Sequence, residues 1–399
     1  MKSIHLYKIT ILALFFTMAC ADLDDLAPVN EIPTDQAIVN KASAIAAVNG
    51  IYDAMQPYPL SFDGWLGLPQ YFSDEADMTG TFPTRLEFDN FNVYPSNSSM
   101  ADVWTGFYVI VNVANNVIGQ VPGIVDAALT AEEKADFVAQ AKFARAQTYL
   151  YLATMWKEVP LILQPTRDIG ESLFMPKNSS DEIYAQIIQD FTDASRDLLA
   201  ETGPNTASKQ AANAFLARVY LYRGNWLEAK TKALEALGPA YELTATPYLQ
   251  DQIYSLGFIP TDGNYINFFY GPAELGGRYE IGPSQTLINA FEPGDLRFDK
   301  TVDVASASVP FVVKYPSFNA GPSGTATDPI LFIRHAEMVL IVAEAVAEMG
   351  DFDIANMYFN QVRQRAGLPD FTLDASNFVE AILHERFVEF AFEGPFRLI

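Results

Sequence analysis

Apolar residues along most of this chain recur at helical spacing, in blocks separated by stretches rich in aromatics, proline and glycine. Residues 35–56 predict a first helix and 100–121 a second, in which Val109, Val113, Val117 and Val121 fall on one face. Thr130-Ala-Glu-Glu133 has the form of a capping box and opens a helix to about residue 156, and Ser179-Ser-Asp-Glu182 opens another to about 199. Further helices are expected at 207–223, 226–237, 333–349, 352–366 and 376–392. Helical signals fade over 57–99 and 238–332. The second of these stretches centres on Tyr265-Ile-Asn-Phe-Phe-Tyr270, whose alternation predicts a short strand or two.

Two of the helix pairs repeat one another. Ala217, Tyr220, Gly224, Trp226, Ala229 and Ala233 align, at a shift of 126 positions, with Ala343, Val346, Gly350, Phe352, Ala355 and Phe359. Small residues permit close helix approach, a glycine ends the first helix and an aromatic opens the second, as in tetratricopeptide repeats. The shift far exceeds the ~34 residues of that repeat, so a long segment is inserted between the two units. The expected fold is mainly α, a scaffold of tetratricopeptide-like helix pairs at about 35–56, 100–237 and 333–394. The loop-rich segments 57–99 and 238–332, with little strand, are where binding residues are expected, since loops on a rigid scaffold commonly carry function.

The N-terminus is a separate case. Lys2 and Lys8 precede an apolar run from Ile9 to Met18, too short to cross a bilayer. Residues 1–19 read as a signal peptide, and Ala19-Cys20 places a small residue before the chain's one cysteine, as lipoprotein processing requires. Cys20 is then the expected lipidation site, residues 20–34 an anchored tether and 35–399 a single domain. Acylation by two or more chains would hold the protein stably at a membrane without spanning it.

Composition narrows the chemistry. A net charge of -24 disfavours nucleic acid, whose binding depends on Lys and Arg neutralising phosphate. One cysteine excludes an internal disulfide, and with His5 in the leader only His335 and His384 remain for a metal site. His384-Glu385 opens like a zinc-protease helix, but position 388 is Val. There is no nucleophile elbow, phosphate-cradling loop or calcium-hand spacing, so no cofactor or metal is expected. Asp74-Glu75-x-Asp77 fits a solvated turn better than a cation site. A glycosidase needs only two placed carboxylates, and 49 acidic residues leave that possibility open.

Several segments together resemble the SusD/RagB family of outer-membrane glycan-binding lipoproteins. They are Val103-Trp-Thr-Gly-Phe-Tyr-Val-Ile-Val-Asn-Val-Ala-Asn-Asn-Val-Ile118, Ala141-Lys-Phe-Ala-Arg-Ala-Gln-Thr-Tyr149 with Val159-Pro-Leu-Ile162, and Ala211 to Leu221. Asp295-Leu-Arg297, Val313-Lys-Tyr315, Ile333 to Ala345, Arg363-Gln-Arg-Ala-Gly367 and Ile382-Leu-His-Glu-Arg386 to Gly394 complete the pattern. The resemblance implies a non-catalytic, lipid-anchored surface lid that binds oligosaccharide or polysaccharide and delivers it to a SusC-like, TonB-dependent outer-membrane transporter. The alternatives are a surface glycoside hydrolase and a lid that binds peptide. The family usually continues past Glu393-Gly394 with a further C-terminal segment that Pro395-Phe-Arg-Leu-Ile399 does not match, so a shortened member is expected.

Flat aromatic rings suit the C–H faces of sugars, and nearby amides or guanidinium groups suit their hydroxyls. On that basis Trp65, Tyr71, Tyr94, Tyr265, Phe269 and Tyr270 are the candidate glycan contacts, with Asn92, Asn264, Asn267 and Arg278 as polar partners. Trp104 and Trp226 are expected in helix packing, and Asp295 and Arg297 are expected to brace the insertion.

Overall fold

The computed structural model describes residues 37–166, 174–199, 203–239, 241–318 and 324–394. The leader, Cys20 and the tether lie outside the described residues. Among the described residues nine longer helices, numbered in chain order, make the scaffold: α1 (Lys41–Met55), α2 (Ser98–Gln120), α3 (Ala131–Trp156), α4 (Ser180–Asp197), α5 (Lys209–Tyr222), α6 (Trp226–Leu237), α7 (His335–Glu348), α8 (Phe352–Arg365) and α9 (Phe378–Glu389). Both predicted capping boxes form. Thr130 Oγ1 accepts from Glu133 N at 3.1 Å while Glu133 returns a carboxylate to Thr130 N at 3.0 Å, and Ser179 and Glu182 do the same. A third box, Asn40 with Ser43, starts α1 at Lys41, later than the predicted residue 35.

Consecutive helices from α1 to α8 pack against one another, and α6 packs directly on α7 although 97 residues separate the end of one from the start of the other. The two repeated pairs are therefore neighbours in one stack, and the insertion leaves and re-enters without interrupting it. The repeat positions behave as their chemistry requires: Ala217, Ala229, Ala233, Ala343 and Ala355 are fully buried at the helix contacts. Gly224 and Gly350 close α5 and α7 with φ of +70° and +84°, a conformation that side chains with a Cβ resist.

The segments of faded helical signal are more ordered than their sequences suggest. Residues Pro59–Gly67 form a π-helix that runs into a short helix, Leu68–Tyr71, and Leu60 to Tyr71 are all buried. Apolar residues here surround the axis instead of forming a stripe, and two prolines and two glycines mask the helix. In the insertion, Ile266–Tyr270 is a short helix and not the predicted strand. Its first turn is held by Asn264 Oδ1, which accepts from Ile266 N at 3.0 Å.

Among the described residues the strands form elsewhere, as three antiparallel pairs. β1 (Ala76–Met78) pairs with β3 (Ile281–Pro283), β2 (Gln252–Leu256) with β6 (Ile330–Arg334), and β4 (Val302–Asp303) with β5 (Phe311–Val312). β6 takes Ile333 and Arg334 from the start of a predicted helix and Ile330, Leu331 and Phe332 from the loop-rich segment; all five are buried, as a short strand covered on both faces should be.

A buried ionic network clamps the insertion to α9 and the turn that follows it. Arg297 pairs with Asp295 at 2.7 Å and reaches Glu385 at 2.6 Å and Glu389 at 3.0 Å. Arg334 binds Asp251, Glu389 and Glu393 at 2.7 to 2.9 Å, and Lys314 binds Glu393 at 2.6 Å. Asp295 and Arg297 thus brace the insertion as their sequence positions suggested, through partners on a distant helix as well as each other.

Candidate functional site

The β1–β3 pair joins the two loop-rich segments. Ala76 faces Pro283 and Met78 faces Ile281 in register, and Thr79 N and Gly80 N both donate to Glu280 O. Gly80 lets the Glu280 carboxylate lie close against the backbone; a Cβ there would push that carboxylate aside. Two hundred residues apart in sequence, Gln70 and Tyr270 meet at 2.7 Å, the phenol donating to the amide oxygen.

At this seam an aromatic cluster reaches the surface. Tyr58, half-buried, stacks on Phe269 with ring centroids 5.5 Å apart and meets Tyr265 edge-on at 5.5 Å. Phe268 packs edge-on against both Tyr265 and Phe269 and is itself half-buried. Phe82 carries the Arg278 guanidinium over its ring at 4.1 Å. The outward members of the platform are therefore Tyr58, Phe82, Tyr265, Phe268 and Arg278.

Arg85 supports the platform from beneath. Its side chain is buried, grips Asp63 through Nε at 2.9 Å and Nη2 at 3.2 Å, and donates to the Tyr58 hydroxyl. Its guanidinium lies 4.6 Å from the Phe269 centroid and 4.7 Å from that of Phe82. Burial works against the cation, but Asp63 and the neighbouring phenols outweigh it and raise the Arg85 pKa, so it stays charged. Burial raises the Tyr58 phenol, helped by Asp63. With Arg85 donating to its oxygen, Tyr58 keeps its O–H free to act as a donor. Gln70 Nε2, Arg85 Nη1, Asn267 Oδ1 and Glu280 Oε2 are buried without a hydrogen-bond partner among the described residues, so the layer below the rings is polar.

A second aromatic edge lies at the far end of the short helix Pro83–Asp89, where Phe91 is 69% and Tyr94 54% exposed. Asn92 Nδ2 donates to the Tyr94 hydroxyl at 3.0 Å, and Glu87 accepts from Tyr94 N at 3.1 Å.

The ten residues expected from sequence divide cleanly. Tyr94, Asn92, Tyr265 and Arg278 present surface at these two patches. Trp65, Tyr71, Phe269, Tyr270, Asn264 and Asn267 do not, each being 6% exposed or less. Trp65 is enclosed by Phe107, Tyr151 and Phe332 and donates its indole N–H to Met55 O at 2.9 Å. Tyr71 stacks on Phe88, and Tyr270 on Tyr315. Asn264 binds Asp328 O at 2.8 Å, and Asn267 binds Tyr315 O. These six are corrected to core and loop bracing: a ring closed on both faces cannot stack on a sugar. Tyr58, Phe82 and Phe268 were missed, although Pro57-Tyr58-Pro59 and Phe82-Pro83, rings beside chain-stiffening prolines, mark two of them. Trp104 and Trp226 are half-buried in helix packing, the former against Trp156 at 5.1 Å. Among the described residues no group of three or more His, Cys, Asp or Glu is placed to hold a metal ion, and no helix is long and apolar enough to cross a membrane.

The fold is a stack of helix pairs with aromatic surface carried by two loop segments, and comparison with known proteins makes the class specific. Residues 68–221 match a family model described as starch-binding associating with outer membrane, and residues 299–396 match that of the SusD family. The chain is 28% identical to SusD-like protein P2 of Formosa agariphila, over 97% of this chain and 88% of that protein. Among solved structures, a SusD-like carbohydrate binding protein from Bacteroides fragilis superposes with a TM-score of 0.77 at 21% identity, covering 89% of this chain and 84% of that one. A laminarin binding SusD-like protein superposes with a TM-score of 0.76 at 22% identity, covering 89% and 90%. Both stretches match SusD-type family models, and over the residues they cover the chain is similar to that family.

Proposed function

We propose that this protein is a cell-surface lipoprotein, anchored through Cys20, that captures oligosaccharide or polysaccharide on the Tyr58–Tyr265 platform and delivers it to a TonB-dependent outer-membrane transporter. The observation that carries the reading is the meeting of segments 57–99 and 238–332 in one partly exposed aromatic cluster with a guanidinium at its edge. Rings braced from below lose little freedom on binding, so stacking against sugar C–H faces goes largely uncompensated by ordering cost. Hydrogen bonds from Tyr58, Tyr265 and Arg278 would add about 1 kcal/mol each. Affinity would then be modest, which suits a protein that must release its ligand to a transporter. Relatives described as carbohydrate-binding and an outer-membrane description of the matching family model support the same reading.

Affinity electrophoresis through gels containing different polysaccharides, paired with a reducing-end assay, tests it. Retardation by a polysaccharide without release of reducing ends is expected. Release of reducing ends, abolished by a carboxylate-to-amide change, would establish a hydrolase instead, and retardation by none would leave the peptide-binding lid.

A further inference from the structure

Resting on the glycan-binding reading, we infer that the platform selects uncharged glycans and rejects uronate-bearing or sulfated ones.

Among the described residues of these two segments, the cations that could hold an anion are few, and most are already paired. Residues 57–99 contain six acids, Asp63, Asp74, Glu75, Asp77, Glu87 and Asp89, against the single cation Arg85. Residues 238–332 contain ten acids and four cations, Arg278, Arg297, Lys300 and Lys314. Arg297 and Lys314 are buried and bound to Glu385, Glu389 and Glu393, on the α9 side of the insertion. Arg85, also buried, has its fork closed on Asp63. That leaves Arg278 and Lys300 at the surface, and Arg278 is the one packed on a platform ring.

Arg278 is not free either. Its Nε pairs with Glu280, a buried carboxylate whose other oxygen has no hydrogen-bond partner among the described residues. Recognition of a carboxylate or sulfate by arginine relies on the open guanidinium fork. Here Glu280 takes the Nε edge and offsets the charge, leaving the exposed Nη nitrogens to hydrogen-bond a neutral hydroxyl. The residual field is negative: Asp89 accepts from Met78 N at 3.1 Å and so lies beside β1, which carries Asp77, while Glu87 lines the Phe91–Tyr94 edge. At physiological ionic strength charges within roughly 8 Å are still felt, so an anionic polymer that runs from the rings onto the β1 or Phe91–Tyr94 edge meets these carboxylates, and among the described residues Arg278 is the one cation at the rings with surface to offer it. A neutral sugar asks only for ring faces and hydrogen bonds, and both are provided.

Affinity electrophoresis and titration calorimetry with laminarin, amylopectin and galactomannan, against polygalacturonate, alginate and chondroitin sulfate, test the inference at 20 mM and 500 mM salt. Expected is binding of at least one neutral polymer, changed less than about twofold by salt, with every anionic polymer at least roughly tenfold weaker. Glu280→Gln keeps the shape of the side chain and releases Arg278; it should raise low-salt binding of polygalacturonate by about threefold or more. Tighter binding of an anionic polymer by the unaltered protein, weakening as salt rises, overturns the charge selection and leaves glycan binding standing. Binding of none of the six contradicts the glycan reading itself and the inference with it. The unaltered protein decides the question even where the variant fails to fold.

Discussion

Arg85 does two jobs that its position in a loop-rich segment conceals. Its charge closes on Asp63, and its flat face fills the space beneath Phe82, Phe269 and Tyr58. Arg85→Ala would strand a buried carboxylate, which typically costs about 3–5 kcal/mol, and chemical denaturation should show a loss of that size. The Arg85→Ala/Asp63→Ala double variant should lose less than the sum of its singles, since removing both charges leaves neither uncompensated. Additive losses would mean the pair is not coupled. Gly350 offers a cleaner backbone test. Nothing lies within 4 Å of a Cβ added there, so Gly350→Ala meets strain from its φ of +84° alone. A cost of about 1 kcal/mol is expected in thermal unfolding, and a stabilised variant would contradict the left-handed closure of α7.

Helices whose apolar residues fall in a stripe could be read from the sequence to within a few residues, and so could the two capping boxes, because their signals are local. The π-helix and short helix from Pro59 to Tyr71 could not: Trp65 and Tyr71 look like loop aromatics until distant Phe107, Tyr151, Phe332 and Phe88 close over them. The platform failed for a related reason. Tyr265 and Arg278 were legible as residues able to meet a sugar, but which neighbours stay open depends on the β1–β3 pairing, which no local pattern encodes. The insertion clamp was half visible, with Asp295 and Arg297 two positions apart in sequence and Glu385 and Glu389 88 and 92 residues beyond Arg297. Its pH response follows from Glu389, fully buried among Arg365, Arg334 and Arg297. Burial alone would raise this carboxyl, but the three guanidinium groups hold it well below its ordinary 4.5. A depressed acid contributes stability above its unfolded pKa and loses it as pH falls. Glu389→Gln should therefore cost on the order of 3 kcal/mol at pH 7, and the gap to the unaltered protein should narrow below pH 4.5. A gap that is constant with pH would show that Glu389 is not ionised in the clamp.

At the scale of the whole molecule, the stack from α1 to α8 gives rigidity and the insertion gives chemistry. α6 packs on α7 across the insertion, while the insertion's own strand β2 is built into the scaffold, with Tyr254 buried against Phe143 of α3 and Phe215 of α5. Ligand binding is assigned to the platform, so the decisive measurement is titration calorimetry of a polysaccharide that retards the unaltered protein, repeated with Tyr265→Ala and with Tyr58→Phe. Tyr265→Ala removes an outward ring, and Tyr58→Phe removes only a hydroxyl. The expected result is at least tenfold weaker binding for the first, equivalent to about 1.4 kcal/mol, and a smaller loss for the second, with circular dichroism unchanged in both. Unaltered affinity in both variants, with the fold intact, would contradict the assignment of ligand binding to this face.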